Sequence, residues 1–95
     1  VKPKRVGYEI CAFVGIYLDQ AHMYKQAVQE FQEIPEIVEC HYTTGEYAIL
    51  LKIYCKSNEH LMDILVNTIQ NIRGVARTKT FISLEQTINR DIDIG

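Results

Sequence analysis

His41-Tyr42-Thr43-Thr44-Gly45-Glu46-Tyr47-Ala48 separates two β-like runs, Ile37 to Thr43 before it and Ile49 to Cys55 after it, and reads as the turn of a central hairpin. Gly45 is the expected pivot, because a tight hairpin turn needs a residue that accepts positive φ without the steric cost of a Cβ. A backbone bent this sharply also frees N–H groups that strands would otherwise consume, so function is expected to concentrate here.

On the N-terminal side, Pro35 stops a helix and launches the first hairpin arm. That helix spans Ala21 to Glu33, with Tyr24, Ala27, Val28, Phe31 and Ile34 at helical spacing and Asp19 in the N-cap position. Before it, Tyr8 to Leu18 alternates with two apolar faces: Ile10, Ala12, Val14, Ile16 and Leu18 on one, Cys11, Phe13, Gly15 and Tyr17 on the other. A strand apolar on both faces is covered on both faces. The first hairpin arm is half polar, with Val38, Cys40 and Tyr42 against Glu39, His41 and Thr43. The second arm, Ala48 to Cys55, is apolar except at Lys52 and is a second central strand.

On the C-terminal side, Ser57 caps a helix from Asn58 to about Gln70, with Leu61, Ile64, Leu65, Ile69 and Ile72 as its buried stripe and Gly74 at its exit. A last strand from Val75 to Glu85 sets Ala76, Thr78, Thr80, Ile82 and Leu84 against Arg77, Lys79, Phe81 and Ser83. The order is β-α-β-β-α-β, an α+β, ferredoxin-like pattern. Right-handed crossovers put the first and third strands in the middle of a four-stranded antiparallel sheet, with both helices on one face. The other face, with Cys11, Phe13 and Tyr17, then needs cover. A second copy packed sheet to sheet supplies it, which makes a dimeric α/β barrel the expected assembly.

The 95 residues form one domain, and a chain this short buries only roughly 60 to 65% of its unfolded surface, which also favours oligomers. Residues 8–86 are expected to be the domain, residues 1–7, with Lys2, Pro3, Lys4 and Arg5, a linker remnant, and residues 87–95 a C-terminal arm ordered by a partner. The apolar fraction of 47% fits a folded core. The apolar run from Ile10 to Leu18 is far short of the roughly 20 residues that cross a bilayer, so a soluble cytoplasmic protein with no membrane partner is expected. Cys11, Cys40 and Cys55 lie in β-like runs with no C-x-x-C spacing, and free, buried thiols fit a reducing compartment. The net charge of −2 excludes a domain that grips nucleic acid by itself.

Catalytic motifs are absent. His22, His41 and His60 are dispersed, and only Glu59 and Asp63 loosely flank His60 as metal-ligand types. Cys40 and His41 are strand neighbours pointing to opposite faces, so they cannot act as nucleophile and base. No metal or cofactor is expected. The turn differs: backbone N–H groups and hydroxyls at Thr43, Thr44 and Gly45, the Glu46 carboxylate, and the rings of Tyr42 and Tyr47 suit a small zwitterion. An ordinary polar hairpin turn is the bland alternative.

Several separated segments carry a resemblance: G-Y-E-I-C-A-F-V-G-I at Gly7, I-P-E-I-V-E-C at Ile34, Y-T-T-G-E-Y at Tyr42, A-I-L-L-K-I-Y-C at Ala48 and G-V-A-R-T-K-T-F-I-S-L at Gly74. Together they resemble the C-terminal effector domain of the Lrp/AsnC family, the feast/famine transcription regulators, and most closely the asparagine-regulator branch. The resemblance implies dimers that assemble into octameric or similar rings, with an amino-acid effector bound between dimers. By position it implies an effector site of Tyr42, Thr43, Thr44, Gly45, Glu46 and Tyr47, completed by Gln70, Thr78 and Thr80, some from a neighbouring subunit. The family's turn is usually G-D-Y-D. Here Ala48 replaces the second acidic group, which leaves the effector's identity open. DNA would be reached only through a helix-turn-helix that this sequence lacks. The alternatives are an assembly domain without ligand, or a small dimeric α/β-barrel enzyme, which would need a His, Asp or Tyr aimed between sheet and helices.

Overall fold

The computed structural model describes residues 7–92; the linker expected over residues 1–7, all but Gly7, and the last residues of the arm lie outside them. Four strands, β1 (Ile10–Leu18), β2 (Ile37–Tyr42), β3 (Ile49–Cys55) and β4 (Val75–Ile82), form one antiparallel sheet in the order β2-β3-β1-β4. Helix α1 (Tyr24–Gln32) and helix α2 (Asn58–Asp63) complete the β-α-β-β-α-β order. The two strands with apolar residues on both faces are therefore the two central ones. Register carries the alternation through the sheet: Val14 pairs with Leu51 on one side and Thr80 on the other, and Ile16 with Ile49 and Thr78.

The core lies between the sheet and the helices. Ala12, Val14, Ile16, Ile49, Leu51, Ile53 and Cys55 face Ala27, Phe31, Leu61, Ile64, Leu65, Ile69 and Ile72, all buried. Both amphipathic stripes seen in the sequence are on this interface. Side chains of the sheet's other face are at best half-buried: Cys11, Phe13, Tyr17, Leu50, Lys52 and Tyr54, with Phe81 45% exposed at the β4 edge.

Several local expectations are corrected. Asp19 does not cap the first helix. Its backbone N–H donates to the Gly74 carbonyl at 2.8 Å, and the chain enters α1 through a 3₁₀ turn, Ala21–Met23, after Gln20. Ser57 does cap α2, accepting from the His60 N–H at 3.1 Å. Beyond Asp63 the second helix widens into a π-helical stretch, Ile64–Thr68, then tightens to a 3₁₀ turn, Ile69–Asn71. The widened turn keeps both Leu65 and Ile69 buried. Gly74, at φ +97°, then reverses the chain into β4.

An irregularity in β2 between Ile37 and Glu39 puts Ile37 with Cys40 and Tyr42 on the helix side and leaves Val38 46% exposed. The last strand ends at Ile82, not Glu85, and Leu84 is 95% exposed beyond it. Of the three free thiols only Cys55 is buried; Cys11 is half-buried and Cys40 exposed.

Candidate functional site

The reversal between β2 and β3 is not a tight turn. It is spread over Thr43 to Ala48, closed by the Thr43 N–H donating to the Ala48 carbonyl at 2.9 Å and by the Thr43 hydroxyl donating to the Tyr47 carbonyl. Gly45 does not adopt positive φ, because a longer loop distributes the bend over more residues. A Cβ there would meet nothing within 4 Å. The Ala48 N–H donates to the Ile16 carbonyl at 3.0 Å and pins the loop to central strand β1.

That anchor lays the loop back over the open face of the sheet. The Tyr47 ring sits over Gly15, edge-on to Tyr17 with centroids 5.3 Å apart and 6.3 Å from Phe81. Next to it, the Tyr17 hydroxyl donates to Glu46 Oε1 at 2.6 Å. The hydrogen bond to Glu46, reinforced by desolvation and the carboxylate's charge, raises the Tyr17 hydroxyl above the usual tyrosine range, although Arg77 works against it. The Arg77 guanidinium carbon stands 4.2 Å from the centroid of the Tyr17 ring. Tyr17, Glu46, Arg77, Thr78 and Lys79 together line a recess of about 240 Å³ where the loop meets β4.

The nine residues assigned to the effector site thus fall into four places within one chain. Glu46 and Thr78 line the recess, with Tyr47 beside it. Thr43 closes the loop, and Thr44 and Gly45 are exposed at its tip. Gln70 Nε2 donates to Thr78 Oγ1 at 3.4 Å, tying the helix exit to β4, and Thr80 is half-buried on the helix-facing side opposite Val14. Tyr42 stands at the far edge of the sheet, 58% exposed, with its ring 4.2 Å from that of Tyr24.

Tyr17, Arg77 and Lys79 were missed as site residues. The face patterns already put all three on one side of the sheet, and antiparallel pairing of β1 with β4 sets Tyr17 opposite Arg77 and Gly15 opposite Lys79. What the patterns lacked was the loop lying across them.

Elsewhere, a cleft of about 280 Å³ lies between α1 and edge strand β2, lined by Tyr24, Val28, Phe31 and Cys40 among others. Burial raises the Cys40 thiol there, opposite to what a nucleophile needs. His60 is structural. Its Nδ1 accepts from the Lys56 N–H at 2.9 Å, which leaves Nε2–H to donate to Glu36 Oε2 at 2.9 Å. Among the described residues no His, Cys, Asp and Glu group could hold a metal, and no helix is long and apolar enough to cross a membrane.

The fold is that of a ferredoxin-like domain with a polar loop folded over its open sheet face. Residues 11–92 match the model of the Lrp/AsnC ligand binding domain, and the chain belongs to that family of transcription regulators. It is 39% identical over 92 residues to the Escherichia coli regulatory protein AsnC, covering 97% of this chain and 60% of the relative. The AsnC structure superposes with a TM-score of 0.91, covering 97% of this chain and 62% of that one. The Pyrococcus furiosus HTH-type transcriptional regulator FL11 is 38% identical over 85 residues, covering 90% of this chain and 55% of the relative. A feast or famine regulatory protein from Mycobacterium tuberculosis, complexed with L-methionine, superposes at TM-score 0.84 with 26% identity, covering 100% of this chain and 63% of that one. The chain spans about 60% of the length of the curated AsnC it matches. These relatives are named as regulators, not as enzymes.

Proposed function

We propose that this domain senses a small amino-acid effector and passes that state to a regulator's assembly. The observation that carries the reading is the loop from Thr43 to Tyr47 held over the sheet, with Glu46 and Thr78 lining one recess beside two cations. Carboxylate and cationic groups so arranged complement a zwitterion. The Mycobacterium tuberculosis relative bound to L-methionine supports the ligand class.

The half-buried apolar face of Phe13, Tyr17, Leu50 and Tyr54 supports a dimer packed sheet to sheet. Tyr42 lies two strands away from the recess, so a site using all nine residues is built between copies, in a ring of dimers. An effector there shifts assembly by binding one arrangement better than another. DNA contact belongs to a separate helix-turn-helix domain, in keeping with the −2 charge of this chain.

Calorimetry against the twenty amino acids is the test. Binding of one or a few at millimolar concentration or tighter is expected, with a change in particle mass by light scattering when that amino acid is added. Heats indistinguishable from dilution for all twenty would remove the sensing part and leave an assembly domain.

A further inference from the structure

His60 ties three parts of the chain together at the end of the sheet where Ile10 pairs with Cys55, away from the Thr43 to Ala48 loop. Its Nδ1 accepts the Lys56 N–H at the corner between β3 and α2, at 2.9 Å, and its Nε2–H donates to Glu36 Oε2 just before β2, also at 2.9 Å. Its ring centroid lies 6.4 Å from that of Tyr8, just before β1. Lys56 closes the cluster, with Nζ 5.4 Å from the centroid of the Tyr8 ring. One residue therefore carries two linked contacts: the Lys56 backbone bonds to His60, and the Lys56 ammonium covers Tyr8. The other ionisable groups on the elements that meet here are Glu9 before β1, Cys55 at the end of β3, and Glu59 and Asp63, both exposed on α2.

Only one protonation state makes both imidazole bonds. With its proton on Nε2, the neutral ring donates to Glu36 and accepts from Lys56. An imidazolium carries a hydrogen on each nitrogen, so the Lys56 N–H would then face another donor. The bond to Glu36 becomes charge-assisted in the same step and gains strength. The ring thus stays with Glu36, and the Lys56 corner gives way and takes its ammonium off Tyr8.

We infer that His60 is a proton-operated latch on the point where the chain enters the sheet: neutral, it holds Lys56 over Tyr8, and protonated, it lets both go. Imidazole is the side chain suited to such a task near neutral pH. The latch stands apart from the recess at Tyr17 and Glu46, so it does not depend on the effector reading.

NMR on the isotope-labelled full chain, taken from about pH 8 down to about pH 5, tests this. The neutral His60 ring is expected to show the Nε2–H tautomer in its ¹⁵N shifts. As it protonates, the Lys56 amide proton should move upfield, and the nuclear Overhauser contacts between the Lys56 Hε protons and the Tyr8 ring should be lost on the same midpoint. His60→Asn offers Lys56 an acceptor that does not titrate, and should keep those contacts across the range. Lys56→Met should leave the Tyr8 ring signals independent of pH while His60 still titrates.

An Nδ1–H tautomer, or Lys56 to Tyr8 contacts that persist once His60 is charged, would overturn the latch. So would loss of the same contacts with acid in His60→Asn, or a Tyr8 titration that survives Lys56→Met and so reports only the neighbouring imidazole's charge. Should His60→Asn fail to fold, the titration of the parent chain decides on its own.

Discussion

The ring of Tyr47 fills the space that a side chain at Gly15 would need: a Cβ built on Gly15 would stand 2.5 Å from Tyr47 Cδ1 and 2.6 Å from Cγ. Gly15 lies in the middle of β1 with no positive φ, so its role is space, not conformational freedom. Gly15→Ala is therefore expected to lift Tyr47 and the loop with it, at about 1 to 3 kcal/mol, the usual cost of overpacking. Tyr47→Ala in the same chain should recover most of that loss, because the clash needs both partners. Urea denaturation of the two single variants and the double variant measures the coupling. Additive losses would show that the ring does not rest on Gly15.

Gly74 and Gly45 should respond oppositely to alanine. Gly74 holds φ +97°, and a Cβ there would meet the Met23 Cβ at 3.0 Å, so Gly74→Ala carries backbone strain and a close contact, about 1 to 3 kcal/mol. Gly45 has neither positive φ nor a neighbour within 4 Å, so Gly45→Ala should fall within about 0.5 kcal/mol of the parent. Thermal or urea melts of both variants decide it, and a large loss at Gly45 would restore it as the pivot of a tight turn.

That contrast marks what the sequence could carry. Strand order, the two central strands and both helix stripes followed from alternation and spacing, because each apolar side chain needs one buried face and few topologies supply it. Gly45 was chosen as pivot on local chemistry alone. The Ala48 N–H bond to Ile16 settles the loop's shape, and that partner lies on another strand. Asp19 failed as a cap because the chain inserts a 3₁₀ turn, Ala21–Met23, after Gln20, and α1 begins only at Tyr24. The Tyr17 to Glu46 hydrogen bond joins residues 29 apart in sequence, and no spacing rule reaches that far.

Cys40 and Cys55 should separate by chemical reactivity. Cys55 is fully buried, and desolvation with the nearby Glu36 charge pushes its thiol up to about 11. Cys40 is exposed, although burial around its sulfur also raises its pKa. Iodoacetamide at pH 8 is expected to label Cys40 in the native protein, more slowly than a small free thiol, and to leave Cys55 unmodified until urea unfolds the chain. Peptide mass spectrometry reads this directly. Native labelling of Cys55 at a rate matching Cys40 would contradict the packing beneath β3.

The Tyr17 hydroxyl offers a pH test of the loop. Its pKa in the folded chain is raised, chiefly by donating to Glu46. A raised folded value means that the contact's stabilisation is fully present below the ordinary tyrosine value of 10.0 and is lost as pH rises through the folded value. The phenolate would then repel Glu46, so the loop should loosen in alkali and stay closed at neutral pH. Carbon-13 labelling at tyrosine Cζ follows each ring separately, and Tyr17 should titrate later than a model tyrosine. Glu46→Gln should lower that midpoint, because the neutral amide accepts the same hydrogen bond without penalising the phenolate as a carboxylate does. Arg77→Gln should move it the other way, since the guanidinium favours the phenolate. Opposite shifts from the two variants would place Tyr17 between Glu46 and Arg77 in solution. A midpoint indifferent to both would mean that the loop does not rest on the sheet as described.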